Sequence, residues 1–176
     1  MDTSAFSIRQ ASPADTTDLS HFASKAFMEA YSGTMDRDDI NKYLEKSFNQ
    51  AEVKKQLESP DMLFHLAFAN DELAGYTKLR WDRARDELGS GRAIELERIY
   101  VGASHYRTGL GTLMLDHAIS ISRKKGFVVM WLAVWQKNIR AISFYKKTGF
   151  EIFGVQKFTV GTIVNDDYVF RLMLRP

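Results

Sequence analysis

A chain of 176 residues, 45% hydrophobic and 26% charged, has the make-up of one soluble globular domain, and a net charge of +2 gives no reason to expect nucleic acid as a partner. The absence of cysteine excludes disulfides, thiolate metal sites and a cysteine nucleophile. His21, His65, His105 and His117 share no metal-ligand spacing, so no metal is expected. No apolar leader opens the chain, and the longest apolar run, Phe127 to Trp135, is too short to cross a bilayer; a cytoplasmic protein with no membrane partner is expected.

Phe6 to Gln10 reads as a first strand, and Ser12-Pro13-Ala14-Asp15 as a capped helix start. The helix that follows carries Leu19, Phe22, Ala23, Ala26, Phe27, Ala30 and Tyr31 on one face and breaks at Ser32-Gly33. Further helices are expected over Arg37 to Phe48 and Ala51 to Glu58. The acid-rich link between the first two helices is either a solvated loop or a lid that meets a cationic substrate. Met62 to Ala69 and Leu73 to Trp81 form a hairpin about Asn70-Asp71-Glu72, and a charged connection from Asp82 to Gly91 follows.

Next comes ELERIYVGASHYRTGLGTLMLDHA, from Glu95 to Ala118: a strand, a glycine loop and a helix. Strict alternation puts Glu95, Glu97 and Ile99 on one side of the strand and Leu96, Arg98 and Tyr100 on the other. Gly109 and Gly111 either shape an ordinary turn or let a phosphate approach backbone N–H groups at the positive end of the helix. No Gly-Lys-Ser/Thr follows, and the dinucleotide-binding glycine spacing fails at Met114. Phe127 to Trp135 is apolar without alternation, as a strand covered on both faces is. Asn138 then caps a helix from Ile139 to Thr148, and a long hairpin closes the chain, with strands at Phe150 to Val160 and Asp167 to Leu174. The order of elements implies an α/β fold: a mixed central sheet flanked by helices, in one domain over 1–176 with its core at about 6–174.

Asn138 to Phe150 carries a second signal: Ala141, Ile142, Tyr145 and Gly149 share one helical face, with Ala141 leaving a groove that ends at Tyr145. Alone, Tyr145 reads as a core aromatic. Together with the glycine loop, however, the helix resembles the GNAT superfamily of acyl-CoA-dependent N-acetyltransferases over nearly the whole chain. LERIYV, FYKKTGF and WLAVWQKN resemble most the PaiA-type spermidine/spermine N-acetyltransferases. The resemblance implies acetyl-CoA as co-substrate. Its pantetheine arm would lie on the backbone of Ile99, Tyr100 and Val101 and its pyrophosphate at Arg107, Thr108, Gly109, Leu110, Gly111 and Thr112, while the helix that carries the cofactor-binding Asn138 and Lys147 completes the thiol end. The loop departs from the family at Tyr106, where Arg or Gln is usual; Arg107 is the nearest basic replacement.

The acceptor implied is a small primary amine, a polyamine such as spermidine or spermine being the narrower expectation; a protein N-terminus or lysine and a non-catalytic CoA-binding module are the alternatives. A homodimer is left open. With no cysteine, the amine must attack acetyl-CoA directly in a ternary complex. Glu97, or Glu95, is the expected base, acting directly or through a water, unless both carboxylates face solvent or pair with Arg98 or Arg80. A backbone N–H of the Ile99 to Val101 strand would meet the oxyanion, and Tyr145 would return a proton to the thiolate. A polyamine needs carboxylates on its path; Glu29, Asp36, Asp38, Asp39, Asp82, Asp86 and Glu87 are the candidates.

Overall fold

Seven strands form one sheet in the order β1-β2-β3-β4-β5-β7-β6. They are β1 (Phe6–Gln10), β2 (Met62–Ala69), β3 (Glu72–Arg80), β4 (Ala93–Val101), β5 (Val129–Trp135), β6 (Glu151–Val160) and β7 (Ile163–Met173). The structure is a computed structural model that describes residues 5–31, 33, 36–83, 85–88, 92–160 and 163–174. Helices α1 (Thr16–Tyr31), α2 (Arg37–Ser47) and α3 (Gln50–Leu57) join β1 to β2; α4 (Leu110–Lys124) links β4 to β5, and α5 (Ile139–Lys147) links β5 to β6. Among the described residues only β4 and β5 pair in parallel, with α4 as the crossover between them.

Local chemistry accounts for the boundaries. The Ser12 N–H and hydroxyl both donate to the Asp15 carboxylate, at 2.8 and 3.0 Å, and a single 3-10 turn from Pro13 to Asp15 precedes α1. Asn70 and Asp71 both take positive φ, 48° and 65°, the left-handed pair that a two-residue hairpin demands and that Asn and Asp tolerate best after glycine. The closing hairpin is tighter than the sequence suggests: β7 already pairs with β6 at Ile163, and Gly161-Thr162 of the expected turn lie outside the described residues.

Each face of the sheet carries its own core. Leu19, Phe27, Ile40, Phe48 and Val53 of the α1–α3 layer meet Phe64, Leu66 and Tyr76 on one face. Leu115 and Ala118 of α4 and Ile142 and Tyr145 of α5 meet Ile94, Leu96, Met130 and Phe170 on the other. Removing water from each such side chain contributes about 1.5–3 kcal/mol. Helix α4 lies close on β3 because Gly75 has no side chain; a Cβ there would stand 2.8 Å from both Met114 Sδ and the Tyr100 carbonyl oxygen.

Strand β4 departs from strict alternation, and the departure makes the site. Lys78 faces Arg98 while Leu79 faces Leu96, so Glu97 is the extra residue of a β-bulge. Past the bulge the sides exchange. Arg98 lies over the Phe48 ring and Tyr100 stacks on Tyr76, both on the α1–α3 face with Glu97, whereas Ile99 turns to the α4 face. The alternation expected from sequence fails at this point for that reason. At the same place the sheet parts. β4 and β5 pair only at Ala93–Val129, Ile94–Met130 and Glu95–Trp131, then run on to Val101 and Trp135 without pairing.

Candidate active site

The parted strands open a cleft of about 1420 Å³ that reaches both faces of the sheet. On the α4 side, alternate backbone groups of Ile99–Val101 face the gap instead of a strand, because β3 takes only one edge of β4. The chain then turns through Gly102, whose N–H donates to the Ala74 carbonyl at 2.8 Å, and a short 3-10 turn at Ala103–His105. The Thr108 hydroxyl donates to the His105 carbonyl at 2.8 Å, and Gly109, at φ 93°, begins α4. Gly109 brings no capping side chain, and the Leu110 N–H reaches Thr108 Oγ1 at 3.4 Å. The first internal bond of α4 runs from the Leu113 N–H to the Gly109 carbonyl at 3.0 Å, so the N–H groups of Gly111 and Thr112 have no partner within the helix.

Gly111 is not required by the fold. A Cβ there would meet nothing nearer than Val101 Cγ2 at 3.8 Å and Phe144 at 4.0 Å, ordinary contacts. The open space in front of it is therefore a cradle that a side chain would occupy. Arg107, Asn138, Arg140 and Lys147 also line the cleft, and Arg140 lies 4.2 Å over the Tyr106 ring. Asn138 caps α5 by accepting the Ala141 N–H at 3.1 Å. Of the expected cofactor residues, Thr108 and Leu110 stand behind the wall: Thr108 ties the loop, and the Leu110 side chain is fully buried in the core.

Tyr145 sits where the two sides meet. It lines the cleft, yet only 6% of it is exposed, and its ring packs on Phe144, Phe150 and Phe170. Burial pushes its phenol above the usual range, and the neighbouring Tyr31 phenol pushes the same way. The proton therefore stays on the oxygen through neutral pH.

On the α1–α3 side the two glutamates have opposite surroundings. Glu97 accepts from Lys78 Nζ at 2.8 Å and Arg80 at 2.9 Å, with Arg98 at 3.6 Å. Burial alone would raise its pKa, but the Lys78, Arg98 and Arg80 charges together hold it down at about 2. Lys78, 1% exposed, also donates to Gln56 at 2.8 Å, and burial takes it down to about 8 against the pull of Glu97. Glu95 is 5% exposed, and among the described residues its Oε2 has no hydrogen-bond partner; Arg83 stands off at 3.7 Å. Burial, helped by the Glu97 charge, raises the Glu95 carboxyl to about 7.

The carboxylates expected along an acceptor path are elsewhere. Asp36 caps α2, Asp39 is buried in that helix, Asp82 grips Arg80, and Glu87 lies beside Arg85. None of these, nor Asp38, lines the cleft; Glu29 lines a small side cavity with Tyr31 and Tyr106, and the Asp86 side chain lies outside the described residues. Besides Glu95 and Glu97, the acids that line the cleft are Glu52 of α3 and Asp167 of β7; sequence reasoning missed both, and Asp167 stands on the far wall. Its one available signal is an acidic pair ahead of the apolar run Tyr168-Val169-Phe170. No cluster of three or more His, Cys, Asp or Glu suited to a metal occurs among the described residues, and no helix is long and apolar enough to cross a membrane.

The architecture is that of an N-acetyltransferase. The PaiA N-acetyltransferase of Thermoplasma acidophilum, solved in complex with coenzyme A, superposes with a TM-score of 0.79 over 96% of this chain and 98% of that one, at 24% identity. The acetyltransferase (GNAT) family model matches residues 25–150, and the chain belongs to that family. Among curated proteins, an uncharacterized N-acetyltransferase from the pepI 3′ region of Lactobacillus delbrueckii subsp. lactis is 29% identical over 95% of this chain and 96% of its own length. The spermidine N(1)-acetyltransferase of T. acidophilum is 27% identical over 82% of this chain and 88% of its own.

Proposed function

We propose that the chain transfers an acetyl group from acetyl-CoA to a small primary amine by direct attack in a ternary complex. The observation that carries this reading is Glu95: a buried carboxyl with an unpartnered oxygen, raised to about 7, where β4 and β5 part. An amine is protonated at neutral pH and must lose that proton before its lone pair can form a bond to a thioester carbon. Glu95 takes the proton, directly or through a water. Sequence alone favours Glu97 as the base, but three cations stabilise its charged form and leave it little affinity for a proton. Its role is to hold Lys78 and Arg80 in place and to keep Glu95 protonatable by repulsion.

The cleft suits the donor. Gly111 leaves the space, the Gly111 and Thr112 N–H groups and the end of the α4 dipole offer donors to a pyrophosphate, and Arg107, Arg140 and Lys147 supply charge at the rim. A backbone N–H of Ile99–Val101 donates to the carbonyl oxygen as it gains charge. Tyr145 gives its proton to sulfur as the C–S bond breaks. The narrower acceptor class, polyamines, is supported by the spermidine-specific name of one relative.

A panel of monoamines, polyamines and peptides with acetyl-CoA and thiol detection tests the reading. Thiol release with amines, lost in Glu95→Gln, is the expected result. Acetyl-CoA binding without thiol release from any acceptor would make the chain a binding module, and turnover of peptides alone would move the acceptor to protein amines.

A further inference from the structure

Asp167 has no role in the transfer itself, yet its setting is unusual. The residue is 6% exposed and lines the cleft, and among the described residues its Oδ1 has no hydrogen-bond partner. No lysine or arginine pairs with it among the described residues; the adjacent Asp166 takes Lys157, at 2.6 Å. Burial, with Asp166 adding, raises the Asp167 carboxyl to about 6. Such a group is costly to bury uncompensated. Aromatic rings share this part of the cleft with Gln156, its ladder partner on β6, and with Asn165. Trp135 is its ladder partner on β5, Tyr31 lies 6.2 Å from Trp135, and Tyr43 lies 6.2 Å from Phe158, all on the cleft wall. The Tyr31 phenol is near enough to feel the carboxyl: burial and then Asp167 push it up to about 12.

A carboxylate among aromatic faces is the chemistry that holds an ammonium, through an ion pair and through the negative faces of the rings. Glu95 is level with Trp131 and Asp167 with Trp135, so the two carboxyls mark positions about 13 Å apart along β5. We propose that Asp167, with Tyr31, Tyr43, Trp135 and Phe158, seats a second, non-reacting ammonium of the acceptor, so that long diamines and polyamines are preferred to monoamines. The inference rests on the reading of the cleft as an amine acetyltransferase site. It places the charge selectivity at the far wall, because the reacting centre is occupied by Lys78, Arg80 and Arg98 around Glu97.

The test compares hexylamine, 1,6-diaminohexane and spermidine as acceptors for the wild type and Asp167→Asn. The variant should raise KM for the diamine and spermidine at least about tenfold, the scale of a lost charge-assisted hydrogen bond. KM for hexylamine and for acetyl-CoA should hold, and kcat should change little. An unchanged diamine KM, or an equal rise for monoamine and diamine, overturns the seat. If the wild type acetylates no amine, it is transfer to small amines that fails. Calorimetry of spermidine with the CoA-loaded protein then decides the seat: tenfold weaker binding in Asp167→Asn supports it, and equal or absent binding overturns it. Should the variant not fold, the wild type carries the test, since the diamine must bind at least about tenfold tighter than hexylamine, and equal affinity overturns the proposal.

Discussion

The two walls of the cleft are made of different material. The α4 wall presents backbone amides, glycines and flexible cations at the surface; the α1–α3 wall presents ionisable side chains that are almost wholly buried. A donor bound through amides and rim charges meets a seat that is inexpensive to build and tolerant of side-chain change. The opposite wall stores electrostatic energy, and there a single substitution alters both stability and chemistry. Glu95 and Glu97 show how sharp this is: two residues apart on one strand, they are moved in opposite directions by their neighbours.

Substitutions at these two glutamates are the strongest means of breaking the contrast. Glu95→Gln should lower kcat by about 10²–10⁴-fold, the range for a positioned base, and remove an ascending limb of the pH–rate profile near pH 7. It should also stabilise the fold at pH 8. A carboxyl raised from about 4.5 to about 7 adds stability below the unfolded value and loses it as pH rises through the folded one, so the charged form is a burden at pH 8. Glu97→Gln should do the reverse to the fold, costing about 3–5 kcal/mol by leaving Lys78 buried without its counter-charge. The Glu97 contribution is present above its unfolded value and is lost as pH falls from about 4.5 to about 2. Denaturant titrations of Glu95→Gln at pH 5 and 8, and of Glu97→Gln at pH 6 and near pH 3, read these signs directly. Destabilisation of Glu95→Gln at pH 8 would erase the distinction between the two sites.

Tyr145→Phe comes next in size. It keeps the ring that packs on Phe144, Phe150 and Phe170 and removes only the hydroxyl, so Tm and CoA affinity should hardly move. The expected loss in kcat is about 10²-fold, because a thiolate leaves tolerably without an acid and this phenol, raised by burial, is a weak one. Full kcat would leave Tyr145 as packing alone.

A smaller effect tests the other wall. Gly111→Leu should weaken CoA binding by about 2 kcal/mol, about 30-fold, with little change in Tm, since the fold itself has room at that Cβ. Calorimetry with CoA measures it. Unchanged affinity in a folded variant would remove the cradle.

The contrast between the walls also decides what could be read from sequence. The donor wall is local: β4, the loop, α4, β5 and α5 follow one another, so a contiguous stretch of text carries the strand, the glycines, the Asn138 cap and Tyr145. The acceptor wall is assembled from α1, α2, α3, β3, β4, β6 and β7, and no local pattern records that the Asp167 charge acts on Tyr31 or that Gln56 meets Lys78. The bulge was hidden for the same reason. Alternation is a property of one strand, but the extra residue at Glu97 exists only relative to β3. The acid-rich link after α1 left two readings open, and Asp36 follows the plainer one: its carboxylate caps the first turn of α2.

The smallest expected effect concerns Tyr106, which stands where the family usually carries Arg or Gln. Arg107 is adjacent in sequence, but it holds a left-handed backbone at φ 65° and points from a strained position. Arg140, in the first turn of α5, lies 4.2 Å over the Tyr106 ring, which fixes a cation at the same rim from a different element. Both arginines are exposed, so each contributes only a surface charge, about 0.5–1 kcal/mol. Arg140→Gln should therefore weaken CoA binding about threefold to fivefold at low salt, with the difference fading as salt screens it. Tyr106→Leu should reproduce most of that loss, because the guanidinium is no longer held over the ring. Arg107→Gln should do less than either. If Arg107→Gln proves the weaker binder and Arg140→Gln leaves both affinity and salt dependence unchanged, the replacement cation is the one adjacent in sequence, and the stacked pair is a surface contact only.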